Sequence, residues 1–118
     1  GQQHGGIAQG IAQALWEEMV YDAGAGPRTT NFGDYLIPSA AEFCDFETHR
    51  NNTPTPLNPL GAKGIGEAGT VGATPAVQSA VIDALAPYGV RHLDMPMTPE
   101  KVWRAMTAGG NGGSVSAD

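Results

Sequence analysis

Glycine and proline occupy 17 and 9 of the 118 positions, and their placement limits this chain more than any other feature of it. Glycine opens tight-turn and left-handed backbone, while proline removes a backbone donor and blocks the helical ladder. Long uninterrupted elements are therefore few, loops are many, and backbone groups are expected to make much of any ligand contact. Ile7, Ile11, Leu15 and Met19 recur every four positions among Ala8, Ala12 and Ala14, which predicts an amphipathic helix over about residues 5–21. Gly24-Ala25-Gly26-Pro27 is expected to end it. Ala76, Val77, Ala80, Val81, Ala84 and Leu85 predict a second helix, with Thr70 or Thr74 as N-cap, Pro75 in the first turn and Gly89 closing it. Thr98-Pro99-Glu100 opens a third, through about Met106, as cap, N1 proline and acidic first turn.

Between these, Phe32, Tyr35 and Ile37, then Phe43 and Phe46, fit short strands separated by Pro38, and Val90 to Leu93 fits another. Asn51-Asn52-Thr53-Pro54-Thr55-Pro56 is an extended linker, because each X-Pro pair disfavours the helical region. The predicted fold is mixed α/β (α+β): about three helices with a few short strands over residues 1–107, then a flexible glycine-rich tail over 108–118.

At 118 residues the chain is one modest domain or part of one. Only 15% of its residues are charged, against roughly a quarter in a free-standing domain, which implies surfaces meant to be covered. It lacks an initiating Met and begins inside a glycine-rich motif, so a piece of a larger chain is expected. A formal charge of −6 and scattered cations argue against nucleic-acid binding. No apolar stretch of about 18 residues could span a bilayer, and no leader is visible, so the cytoplasm is expected.

The single cysteine, Cys44, excludes an internal disulfide and any cysteine-held cluster or structural zinc within the chain. Without a nearby cation it is expected to be a packed thiol. His4 and His49 stand apart from other ligand-type residues, so no metal site is predicted on protein ligands. Trp16 and Trp103, at helical positions, are expected to be packing anchors.

Two glycine-rich motifs carry the functional signal. Gly1-Gln2-Gln3-His4-Gly5-Gly6 precedes the first predicted helix, where free amides and an amide side chain could hold an anion or heterocycle; a tight-packing helix entry is the plainer explanation. Asn58-Pro59-Leu60-Gly61-Ala62-Lys63-Gly64-Ile65-Gly66-Glu67-Ala68-Gly69 is more unusual, with four glycines around one Lys and one Glu. It is not a phosphate-cradling Walker loop, because Lys63 is followed by Gly64 rather than Ser or Thr, and a small phosphate-binding enzyme is rejected on that ground. Nor does it follow the clear strand that a dinucleotide fingerprint requires. Flanked by glycines, Glu67 can approach a ligand unobstructed, and burial there would raise its pKa towards that of a general base. A carboxylate that merely satisfies a helix N-terminus explains the position equally well.

Four motifs in order narrow the choice: Gly-Gln-x-x-Gly-Gly-x-x-Gln-Gly at 1–10, Asp34-Tyr35-x-Ile37-Pro38, Asn58-Pro59-Leu60-Gly61-x-Lys63-Gly64-x-Gly66-Glu67, and Asp94-Met95-Pro96-x-Thr98-Pro99-x-x-Val102-Trp103. Over about residues 1–107 the chain resembles the C-terminal end of the molybdenum-binding large subunit in the xanthine oxidase family, and within it the aerobic carbon monoxide dehydrogenase large chains. The resemblance implies a molybdenum-dependent oxidoreductase acting on carbon monoxide, an aldehyde or an N-heterocycle, with Glu67 as the general base that takes a proton from the attacking nucleophile at the metal. It implies that Gln2, and less directly Gln3, contact the molybdenum-pterin (molybdopterin cytosine dinucleotide), with Gly64 and Gly66 as further cofactor-binding candidates through their N–H groups and Lys63 shaping the turn beside it. It further implies FAD and 2Fe-2S clusters on partner subunits, an iron–sulfur small subunit and an FAD-binding medium subunit, and no cofactor retained by the fragment itself. Cut faces could pair between two copies, so a homo-oligomer is expected. The alternative is a non-catalytic interaction or assembly module that docks through the glycine loop.

Overall fold

The computed structural model describes residues 1–109, and the expected tail beyond Gly109 lies outside them. Three α-helices carry the fold: α1 (Gln2–Leu15), α2 (Ala68–Leu85) and α3 (Pro99–Gly109), with short 3-10 turns at Ala40–Glu42 and Ala86–Tyr88. Among the described residues there is no strand, only an isolated bridge between Tyr21 and Pro27, so the expected strands are corrected to irregular chain. The physical reason lies in how the aromatic residues find cover. Phe43 meets Trp16 edge-on at 6.0 Å and Phe46 meets His4 edge-on at 5.9 Å, so both pack along α1 without a hydrogen-bonded neighbour strand. The 90–93 segment likewise lacks a partner, and Gln78 of α2 donates its amide to the Leu93 carbonyl at 3.4 Å.

Helix α1 starts and stops earlier than its apolar stripe suggests. The Gly5-Gly6 pair lies inside it rather than ahead of it, and the Trp16 and Glu17 amides both close on the Ala12 carbonyl at 2.9 Å. Glu17 and Glu18 would face the negative end of the helix dipole if α1 continued. Instead Glu17 accepts the Tyr35 hydroxyl at 2.8 Å, which holds that phenol above its ordinary value of 10.0, and Glu18 pairs with Lys101 of α3 at 2.9 Å. Gly24-Ala25-Gly26-Pro27 does not cap α1; it forms a tight reversal in which the Asp22 carboxylate accepts the Gly24 and Gly26 amides, both at 2.9 Å.

Helix α2 also opens early, at Ala68, so Pro75 sits in its interior and not in its first turn. Proline costs least where the carbonyl four residues back can turn to water, and Val71 occupies an exposed position. Gly89, at φ 77°, closes the following 3-10 turn as expected. Helix α3 opens as its local signals specify: the Thr98 hydroxyl accepts the Lys101 amide at 3.4 Å and Glu100 pairs with Arg104.

The core is small. Ala12, Ala14, Leu85 and Met97 are the buried apolar residues, and the Met97 amide donates to the Ala14 carbonyl at 2.7 Å, tying the segment before α3 to α1. Phe32, Leu57 and Leu60 are 83%, 92% and 89% exposed, far above what a self-contained domain leaves in solvent at large apolar side chains. Trp103 is exposed too, and so is Cys44, which corrects the expectation of a packing anchor at the first and a packed thiol at the second.

At the Ala40–Glu42 turn, the Ser39 hydroxyl and amide donate to the Glu42 carboxylate at 2.7 and 2.6 Å and hold its carboxyl below the ordinary value of 4.5. Because the folded value is the lower one, the charged form supports the turn above about pH 4.5 and that support is lost as pH falls through the folded value. Replacing Ser39 by Ala is expected to bring the Glu42 titration, followed by NMR, back up towards 4.5.

Candidate functional site

Helices α1 and α2 cross with their backbones in contact. A Cβ placed on Gly6 would lie 3.1 Å from the Gly69 Cα, one on Gly10 would lie 2.8 Å from the Ala73 Cβ, and one on Gly69 would lie 2.8 Å from the Gln3 carbonyl oxygen. Only residues without side chains permit that approach. Thr70 and Thr74 complete the crossing: their hydroxyls donate to the Gly6 carbonyl at 3.0 Å and the Gly10 carbonyl at 3.4 Å. Two residues that sequence order separates by 64 positions are thereby joined at the end of the crossing, where the Gln2 amide donates to the Gly66 carbonyl at 2.9 Å.

The glycine loop reaches that point through its own bonds. Asn58 donates to the Ala62 carbonyl at 2.9 Å and accepts the Ala62 amide at 3.0 Å, while Gly61 turns with φ 63°, a value that favours glycine. The Lys63 ammonium reaches the Thr53 hydroxyl at 2.7 Å, tying the loop to the linker before it. Glu67 is the residue ahead of the first turn of α2, yet its carboxylate makes no capping bond to that helix. What Glu67 can give the helix from that position is its charge against the helix dipole, not a capping hydrogen bond. Glu67 is exposed, so the burial expected of it is not supplied by these residues.

An open cleft of about 370 Å³ lies between the two helix starts. Gln2, Gly66 and Glu67 line it together, as do Gly5, Gln9 and Thr70. Gln3 and Gly64, the other two candidate cofactor contacts, do not line it: Gln3 is exposed and presents its carbonyl to Gly69, and Gly64 sits away from neighbours. Gln9 and Thr70 were not singled out as site residues. Thr70 reads locally as a helix cap, and Gln9 lies seven positions, two helical turns, after Gln2 on the same face. A hydroxyl pair four apart, Thr70 and Thr74, facing a glycine pair four apart, Gly6 and Gly10, is the signal that could have found the crossing.

The class of protein is set by comparison with known chains, beginning with a molybdopterin-binding domain. Residues 1–44 match the family of the molybdopterin cofactor-binding domain. Over 90% of its length the chain is 42% identical to the carbon monoxide dehydrogenase large chain of Hydrogenophaga pseudoflava, and over 89% it is 43% identical to the nicotine 6-hydroxylase large subunit of Paenarthrobacter nicotinovorans. The crystal structure of quinoline 2-oxidoreductase from Pseudomonas putida 86 superposes with a TM-score of 0.85 at 43% identity, covering 90% of this chain and 14% of that one. The chain belongs to the xanthine oxidase family, with the molybdenum-binding large chains. It spans about 13% of the length of the curated relatives it matches.

The cleft fits a large hydrogen-bonding cofactor. Gly1, Gly5 and Gly66 line it, and a Cβ added to any of them meets nothing within 4 Å, so side chains there would take up open space rather than pack. With one N–H spent on Gly66, the Gln2 amide keeps a second donor and its acceptor oxygen. At the start of α2 the Ala68 amide donates back to the Ile65 carbonyl at 3.2 Å, and the helix's own ladder begins with the Val71 amide on the Glu67 carbonyl at 3.0 Å. Among the described residues no helix is long and apolar enough to cross a membrane, and no cluster of three His, Cys, Asp or Glu side chains could hold a metal ion on protein ligands.

Proposed function

We propose that this chain forms part of the active site of a molybdenum hydroxylase or dehydrogenase, working within a full-length large subunit in the cytoplasm. Gln2 and the Gly66 turn hold one edge of a molybdenum-pterin, and Glu67 is the general base. The observation that carries this is the convergence of Gln2, Gly66 and Glu67 on one cleft from ends of the sequence 64 positions apart, with the Glu67 carboxylate left free of any capping hydrogen bond. Bound there, the cofactor supplies the two-electron redox chemistry. The protein's part is to orient and to move a proton. Glu67 accepts the proton of the oxygen nucleophile, and Gln2 fixes the turn on which Glu67 stands.

The substrate is proposed only as a class: carbon monoxide, an aldehyde or an N-heterocycle. Relatives whose names specify carbon monoxide, nicotine and quinoline reach 42%, 43% and 43% identity to this chain, which suits a segment that supplies shared catalytic parts and leaves substrate choice to other loops. FAD and 2Fe-2S centres are assigned to a medium and a small partner subunit, as electron acceptors for the molybdenum. Residues 1–107 would be the cofactor-binding unit and 108–118 its tail, while Gln3 and Gly64 would act through the backbone that surrounds the turn.

The experiment is exchange of Glu67 for Gln in the full-length protein, read as the rate at which substrate reduces the molybdenum at unchanged metal content. A loss smaller than about tenfold, roughly 1.4 kcal/mol in barrier, overturns the base role.

A further inference from the structure

We infer that Thr70 is a positioning residue for Glu67, acting through the Gly6 carbonyl; this rests on the assignment of Glu67 as the base. Thr70 lies three positions after Glu67, one helical turn along α2, and lines the same cleft. Its hydroxyl donates to the Gly6 carbonyl at 3.0 Å, and the Gln9 amide oxygen stands 3.5 Å away on the same helix. Gly6 in turn lies one turn after Gln2, whose amide grips the Gly66 carbonyl.

The glycine contacts and the hydroxyl bonds do different work. Gly6, Gly10 and Gly69 set how closely the helices approach, because their backbones already touch. Smooth backbone against smooth backbone resists compression but offers little resistance to sliding along the helix axes. A directional bond from one helix to a carbonyl of the other does resist it. Of the two such bonds, that of Thr70 is both the shorter and the nearer to Glu67. Loss of the Thr70 hydroxyl therefore lets the Glu67 turn drift relative to Gln2, whereas loss of the Thr74 hydroxyl acts a full turn farther off. The Gly6 carbonyl keeps its place inside α1, so removing the hydroxyl does not leave it without a helical partner.

The test compares Thr70→Val, Thr70→Ala and Thr70→Ser with Glu67→Gln in the full-length protein, using carbon monoxide and quinoline as probe substrates. Three quantities are measured: molybdenum per chain, hydrogen exchange of the peptide covering residues 64–72, and the kcat against KM split. Both Thr70→Val and Thr70→Ala are expected to speed exchange in that peptide and to lower kcat by about tenfold or more, with KM and molybdenum content within about twofold. Thr70→Ser, which keeps the hydroxyl, is expected to restore exchange and kcat. Unchanged exchange in the Val and Ala variants overturns the proposal whatever the activity does, and so does failure of Ser to rescue or loss of molybdenum in place of kcat. A wild-type rate in Glu67→Gln overturns the base role instead, and the exchange data then judge the hold of Thr70 on the turn by themselves. The Ala variant, which introduces no new methyl against Gly6, serves if the Val variant fails to fold.

Discussion

Full-length protein carrying Glu67→Gln is expected to oxidise substrate about 10²–10⁴-fold more slowly than the parent, the range that a well-placed general base contributes. The exchange is close to isosteric and keeps one acceptor oxygen while an NH2 donor replaces the other, so what it removes is the charge and the capacity to take a proton. Its effect on folding should be slight. Glu67 makes no capping bond to α2 and its position is exposed, so the loss is confined to its charge at the helix N-terminus, about 0.3–1 kcal/mol. Molybdenum content should stay level with the parent, because the Gln2 side-chain amide donates to the Gly66 carbonyl and does not involve the carboxylate. Rapid-mixing spectroscopy of molybdenum reduction, beside metal analysis of the same samples, separates a slower proton transfer from a lost cofactor.

The second large effect concerns the helix crossing. Gly10→Leu is expected to destabilise the full-length protein by about 3 kcal/mol or more, since overpacking a close-packed contact typically costs 1–3 and here the first added atom already conflicts with backbone. A Cβ at Gly10 would stand 2.8 Å from the Ala73 Cβ and 3.0 Å from the Thr70 carbonyl oxygen and the Thr74 amide nitrogen. The helices would have to part, and parting breaks the Thr70 and Thr74 bonds together. Gly72→Ala, in the same crossing helix, should have the opposite sign. A Cβ there meets nothing within 4 Å, so the substitution is expected to gain about 0.5–1 kcal/mol from the stiffer unfolded chain and better helix propensity. Thermal unfolding of the two variants checks both, and equal shifts would show that the crossing is not a close contact.

These two positions also mark what could be read from the residues and what could not. The third helix was legible because its signals are local: Thr98, Pro99 and Glu100 specify cap, first position and first turn within three residues. The end of α1 was not, because the apolar stripe through Met19 continues past the point where Glu17 and Glu18 meet the helix dipole and turn to Tyr35 and Lys101 instead. The expected strands failed for a related reason. Alternation at Phe43 and Phe46 records that one face is covered, and α1 covers it as well as a neighbouring strand would. At the site, Gln2 and Glu67 stand out as candidates through motif order, but their place on one cleft was invisible, since it depends on glycines and threonines matching across two helices. The low charge and the exposed Phe32, Leu57 and Leu60 agree that the surface of this chain is shaped for contact.

The 64-residue span between Gln2 and Gly66 has a bearing on how such a site is made. The chain between them, rich in proline and nearly free of regular structure, offers no ladder along which the halves could zip together. Joining them therefore carries the loop-closure entropy of the whole span, and the same closure brings Gln2 and Glu67 to one cleft. On the proposed function, a pterin that binds only the assembled cleft would hold the two halves together by mass action. Cofactor content of the full-length protein would then report whether the crossing is complete.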